Sequence, residues 1–198
     1  MSKINIKKLE KKPYLYDLYR RCGKCDIISL LKWIFVSKYK IVYLKRKCEL
    51  YRQKGQKIRF LIYRIIYSHY SIKYGVDIGT SVKIGPGFII QHIGGIAINN
   101  GAVIGKDVEI LQGVTIGYER RGKRKGNPTI GNKVWIGSNA VIVGKISIGN
   151  NVLIAPNSFV NFNVPSNSIV IGNPAKIIKS EKATEQYINN ILFFKEKI

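Results

Sequence analysis

The chain is poor in acid, cysteine and histidine, and it has no long apolar run. Its 198 residues hold eleven Asp or Glu, three Cys and two His. An odd cysteine count without secretory context gives no disulfide framework. Cys22-Gly-Lys-Cys25 has CxxC spacing, but zinc needs two further ligands, and the nearest candidates, Cys48 and His69, form no second pair. The three cysteines are read as reduced structural thiols. Two histidines exclude a centre with three histidine ligands, and no metal is expected. The most apolar stretches, 27–36 around Lys32 and 60–67 around Arg64, are too short and too charged to cross a bilayer. The first residues, MSKINIKKLEKK, are charged, and no small-residue cleavage site follows a hydrophobic run. The expected location is cytoplasmic.

What is abundant is positive charge. The formal net charge is +23, and residues 1–74 contain twenty Lys or Arg against four Asp or Glu, so that part alone carries +16. Such a patch suits a polyanion or an anionic surface: nucleic acid, a membrane face, an acidic glycan or a phosphorylated cofactor. A solvated basic face is the plain alternative. Apolar positions three and four apart (Leu15, Leu18, Tyr19; Ile27, Leu30, Leu31, Ile34; Leu61, Ile65, Ile66) predict three or four helices over 14–70, broken near Gly23 and Gly55. Arg and Tyr alternate through 43–74, which fits the headgroup region of a membrane or, in a nucleic-acid binder, base stacking. No nucleic-acid recognition motif is present, so nucleic acid is not the expected partner. It stays open as the partner of a non-enzymatic scaffold.

From Ile78 the period changes to six. Ile78, Ile84 and Ile90 lead the first hexads; after a two-residue slip come Ile98, Ile104, Ile110 and Ile116; after the excursion GYERRGKRKGNPT come Ile130, Ile136, Ile142, Ile148, Ile154 and Val160. A short fixed period marks a solenoid. Each hexad supplies a short strand and a bend, with the aliphatic residue inward and small residues (Gly85, Gly105, Gly131, Gly137, Gly149) at the bends. Three hexads make one triangular coil, and stacked coils satisfy each other's backbone groups. The reading is mainly β: a left-handed parallel β-helix of hexapeptide repeats over 75–178, after a basic α-helical region over 1–74. A short C-terminal helix is expected within 179–198, with Tyr187, Ile191 and Phe194 on one side, capping the solenoid end.

The stretches VDIGTSVKIGPGFIIQHIGGIAINNGAVIGKDVEILQGVTIG and IGNKVWIGSNAVIVGKISIGNNVLIAPNSFV, with VPSNSIVIGNPAKII, resemble the left-handed β-helix acyltransferases. The first resembles more narrowly the serine acetyltransferase branch and its relatives in capsule and exopolysaccharide gene clusters. The resemblance implies a homotrimer with active sites between subunits and acetyl-CoA as acyl donor. It puts His92 on the catalytic histidine and Asp77 on the aspartate that orients it. The chemistry agrees, because a hydroxyl must lose its proton as it attacks a thioester, and imidazole titrates near neutrality. The positions matching the donor's contacts are Gly117, Tyr118, Ser138 and Pro156, with Lys176 and the loop cations Arg120, Arg121, Lys123, Arg124 and Lys125 facing its phosphates.

Two departures bear on the acceptor. Serine acetyltransferases carry an aspartate just before the catalytic histidine and a second histidine in the excursion loop; here those substrate-binding positions are Gln91 and Asn127. Neutral side chains suit sugar hydroxyls better than a serine ammonium. The expected reaction is therefore O-acetylation of a surface polysaccharide or its precursor, with a glycan acceptor and possible peripheral contact with the inner membrane face. The alternative is serine O-acetylation for cysteine synthesis.

Overall fold

A computed structural model describes Leu9 and residues 12–192 of the chain. Four helices come first: α1 Pro13–Cys22, α2 Ile27–Trp33, α3 Ser37–Gln53 and α4 Lys57–Tyr74. Their ends follow from local chemistry. Pro13 opens α1, where a missing N–H does no harm. Asp26 caps α2 by accepting from the Ser29 amide at 2.9 Å. Gly23 closes α1 at φ +69°, and Gly55 turns between α3 and α4 at φ +66°.

The rest is a parallel β-solenoid with three faces. The first face holds β1 Val76–Ile78, β4 Ile96–Ile98, β7 Thr115–Gly117, β10 Val141–Val143 and β13 Phe159–Val160. The second holds β2 Lys83–Ile84, β5 Val103–Ile104, β8 Thr129–Ile130 and β11 Ser147–Ile148. The third holds β3 Ile89–Ile90, β6 Glu109–Ile110, β9 Val134–Ile136, β12 Val152–Ile154 and β14 Ser168–Gly172; the antiparallel β15 Ala175–Lys179 ends it. The sixfold residues sit in register down each face: Ile78 opposite Ile98, Ile84 opposite Ile104, Ile90 opposite Ile110. All are buried and form one apolar column, which Ile41, Val42, Leu44 and Cys48 of α3 continue upward. The helical layer thus closes the N-terminal end of the column, where a sheet edge would otherwise lie open.

Gly85, Gly105 and Gly131 are needed for close approach, not for a left-handed turn. A Cβ on Gly85 would lie 2.5 Å from the Gly105 carbonyl oxygen, one on Gly105 2.5 Å from that of Gly131, and one on Gly131 2.6 Å from that of Gly149. The left-handed bends are taken by Asn139, Asn151, Asn157 and Asn167, by Asp107 and Lys133, and by other glycines such as Gly87, Gly95 and Gly113.

One expectation is corrected. Residues 180–192 form successive turns rather than a helix: Gln186 and Asn190 adopt φ of +66° and +55°, which no α-helix accommodates, and Thr184 is drawn off by a 2.7 Å hydrogen bond to Asn151. Phe194 lies outside the described residues. The turns run along the third face, with Tyr187 against Trp135 at 4.7 Å, and reach α1. The expected helix over 61–66 is α4; on it Leu61, Ile65 and Ile66 point outward and the inner face is aromatic. Phe60, Tyr63, Tyr70 and Tyr74 pack on the core, and buried Tyr67 donates to the Ile78 carbonyl. A tyrosine fills that space and still satisfies a backbone acceptor, which an aliphatic side chain cannot do.

Helices and solenoid are joined by a buried ion pair. Arg46 of α3 donates to Asp17 of α1 at 2.8 Å and to the carbonyls of Ile84 and Gly85, each at 2.6 Å. Asp17 in turn accepts from the amides of Gly87 and Phe88 at 2.8 and 2.9 Å. Removing one partner strands a buried charge, so Arg46→Ala is expected to lose about 3–5 kcal/mol in denaturant unfolding. Cys48 lies two residues further along α3, buried, its thiol pushed up to about 11 by burial. It should be inert to a thiol reagent at mild alkaline pH in the native protein and react in the variant; an unreactive Cys48 and unchanged stability in Arg46→Ala would refute the anchoring role.

Candidate active site

The strand order places the sequence-predicted residues on two different edges of the prism. His92 is exposed at the corner between β3 and β4. Asp77 projects outward from β1, the strand paired with β4 on the next face, and lines a cleft of about 520 Å³ that also takes in Arg64, Ser68 and Thr80. Below His92 the same corner recurs in every coil. The Gly113 amide bonds the Gly94 carbonyl at 2.9 Å, Asn139 bonds Gln112 at 3.0 Å, and Asn157 bonds Ser138 at 2.9 Å. One edge therefore carries His92, Gln112, Ser138 and Pro156 in successive coils. Gly137 abuts Pro156 there: its Cβ would sit 2.6 Å from the Pro156 nitrogen.

Gly117, Tyr118 and Asn127 lie on another edge, between the first and second faces, where the excursion leaves β7 and returns to β8. Glu119 and Gly126 bridge the base of that excursion through reciprocal 3.0 Å amide bonds, leaving Arg120, Arg121, Lys123, Arg124 and Lys125 exposed. Asn127 packs tightly on Gly101, whose Cβ would lie 2.1 Å from its Nδ2. Lys176 is exposed on β15 opposite Ile171, one residue past the Val170–Ile154 pair, and so stands at the foot of the His92 edge. Within one chain, then, His92 and Asn127 stand at different corners and cannot converge.

Gln91 is held away from His92. Its Nε2 donates to Glu109 at 2.5 Å, and its Oε1 accepts from Arg21 at 3.2 Å. Glu109 is buried between Gln91 and Arg20, 3.7 Å from the Arg20 guanidinium, and Arg20 also meets Asp107 at 3.2 Å. Burial pushes the Glu109 carboxyl above the usual range, against the opposing pull of the Gln91 amide and the two arginines. A neutral amide at position 91 is what a buried carboxylate beside it calls for.

Gln112 went unnoticed in the sequence. Its Oε1 is buried without a hydrogen-bond partner among the described residues, one coil from His92 on the same edge. Nothing in the period-six pattern marks it, because it sits at a bend position where polar residues are ordinary. Among the described residues no cluster of three or more His, Cys, Asp or Glu is arranged to hold a metal. No helix among them is long and apolar enough to cross a membrane.

Residues 127–161 match the bacterial transferase hexapeptide family, described as six repeats. Serine acetyltransferase 2 of Arabidopsis thaliana is 40% identical over 121 residues, 61% of this chain and 38% of that protein. The serine acetyltransferase of Helicobacter pylori is 38% identical over 54% of this chain and 63% of its own length. This chain spans less than two thirds of either relative. Among solved structures, the Neisseria gonorrhoeae serine acetyltransferase in complex with serine aligns with a TM-score of 0.67 and 32% identity, covering 89% of this chain and 70% of that one. The Brucella abortus serine acetyltransferase in complex with coenzyme A aligns with a TM-score of 0.69 and 26% identity, over 87% and 68%. The chain belongs to the hexapeptide-repeat transferases, in the family of the serine acetyltransferases.

These relatives overturn the expectation of a polysaccharide O-acetyltransferase with a glycan acceptor. That expectation rested on the neutrality of Gln91 and Asn127, and the structure accounts for Gln91 differently, through Glu109 and Arg21. Gln91→Asp would set two carboxylates side by side in a buried place. We expect it to destabilise the fold by about 1–2 kcal/mol at neutral pH. A folded-state carboxyl pKa raised above the unfolded value costs stability as pH rises through that interval, so the deficit should be small at mildly acidic pH and grow toward neutrality. Adding Glu109→Gln should remove it. A variant as stable as the parent across that range would show that Glu109 does not constrain position 91.

Proposed function

We propose that the chain is an acetyl-CoA-dependent serine O-acetyltransferase in which His92 is the general base and Asp77 orients it. The serine-bound relative, similar along most of this chain, is the observation that carries the reading. His92 stands exposed at a corner, open to a hydroxyl substrate, and Asp77 projects from the neighbouring strand pair. In the reaction the serine hydroxyl attacks the thioester carbonyl while the His92 imidazole takes its proton. The Asp77 carboxylate on the other ring nitrogen fixes the tautomer and balances the imidazolium that forms. A backbone N–H at the corner holds the carbonyl oxygen as it gains charge, and the thiolate of CoA leaves.

The donor arm is proposed to follow the edge below His92. Stacked backbone amides and carbonyls, Ser138 and the unpartnered Gln112 Oε1 offer it hydrogen bonds there, and the exposed cations of the excursion and Lys176 offer charge to its phosphates. A homotrimer is part of the proposal. It would set the His92 edge of one subunit against the Tyr118 and Asn127 edge of the next, uniting residues that one chain keeps apart.

The test is release of free thiol from acetyl-CoA by the purified protein with serine. Turnover with serine is expected, and His92→Ala should lower kcat by about 10²–10⁴ while acetyl-CoA affinity and the mass in solution stay as they are. Unchanged turnover in His92→Ala, or no thiol release with serine, would overturn the proposal.

A further inference from the structure

The two outer helices expose a continuous apolar face that the catalytic proposal does not use. On α4 the side chains at 58, 61, 62, 65 and 66 recur three and four apart on the outward side; Ile58 is 78% exposed and Leu61 59%. The inward side of the same helix is aromatic and packed, so α4 is apolar on two opposite sides, where a helix at a surface ordinarily has one. Helix α2 has no buried residue at all, and its Ile27, Ile28 and Leu31 also face out, with Ile28 76% exposed. Lys40 connects the two helices: its ammonium lies 4.6 Å from the ring of Tyr70 on α4 and 5.8 Å from that of Phe35, just beyond α2, itself 78% exposed.

The rim of this face is mainly cationic. Helix α4 carries Lys57, Arg59 and Lys73 outside the Asp77 cleft and not one carboxylate, and α2 carries Lys32 with Lys24 just before it. The carboxylates of the described helical layer are already engaged: Asp17 by Arg46, Glu49 by Lys45 and Arg46, Asp26 by the start of α2. Among the described helices Asp26, exposed at the start of α2, is the one carboxylate outside an ion pair, against the Lys and Arg of this rim. A second copy seated here would bring the same uncompensated cations against these, since residues 1–74 carry +16 in each copy. We propose that this face rests on the headgroup region of an anionic phospholipid bilayer, with the isoleucines and leucines reaching the acyl boundary and the Lys and Arg at the level of the phosphates. It goes beyond the acetyl transfer and does not depend on it.

Co-sedimentation with vesicles tests this, comparing phosphatidylcholine alone with phosphatidylcholine mixed with phosphatidylglycerol. Binding to the mixed vesicles, weakened by salt and absent for phosphatidylcholine alone, is expected. The double substitution Leu61→Glu with Ile65→Glu should weaken it by about tenfold or more and leave the mass in solution unchanged. Trp33 of α2 gives a second readout that needs no change in the face: in a Trp135→Phe background, brominated phosphatidylglycerol should quench its emission. No binding to the mixed vesicles, or no quenching, would overturn the proposal. So would a fall in oligomer size in the double variant, which would make this face a contact between copies.

Discussion

The whole arrangement hangs on one buried guanidinium. A β-solenoid has two ends, each with open strand edges and an exposed section through its core, and the upper end is closed by α3 and α4, with α1 bound beside them. Arg46 holds α1 and α3 there by joining a carboxylate on α1 to two carbonyls of the first coil, while that carboxylate takes two amides of the same coil. Burying a full charge of each sign is expensive, and here almost every lone pair and proton of the pair has a fixed partner. The contact lends direction as well as cohesion, because a fork of donors meeting specified backbone oxygens fixes the angle at which the helices cross the coil.

That rigidity reaches the candidate site. Asp77 leaves the solenoid on its first strand, directly after α4, and the cleft beside it has helix for one wall and sheet for the other. The imidazole lies one corner away, at the head of an edge whose coils are locked by one backbone bond apiece. A site split between two edges of a prism has few moving parts within a subunit; its remaining freedom lies in how subunits meet.

Much of this was legible in the chain. The isoleucines at every sixth position gave the column, the faces and the coil spacing, because inward-pointing side chains obey a period that solvent-facing ones need not. Gly23 and Gly55 marked helix ends correctly, since a left-handed backbone leaves few other choices. What escaped was tertiary. Nothing local says that the tyrosines of α4 turn in and its isoleucines out, for both are apolar at helical spacing. Nothing local says that Gln91 answers to Glu109, eighteen residues away and one coil below. Its neutrality was read as a statement about the acceptor when it reflected a neighbour. The tail failed for a related reason: its helical periodicity was outweighed by Thr184 and Asn190, whose side chains found partners elsewhere in the fold.

The path of that tail changes how the molecule comes apart. A solenoid is in principle a one-dimensional stack, each coil leaning only on the next, and such stacks fray from their ends. Here Asn190 donates to the Arg20 carbonyl, Arg20 donates to the Asn189 carbonyl, and the Leu192 amide meets the Tyr16 hydroxyl at 3.1 Å. Residues 189–192 are thus pinned to α1 across the whole height of the third face. The stack becomes a closed circuit, and the bottom coil cannot peel away without first releasing the lid at the top, so the chain is built to unfold as one unit instead of coil by coil.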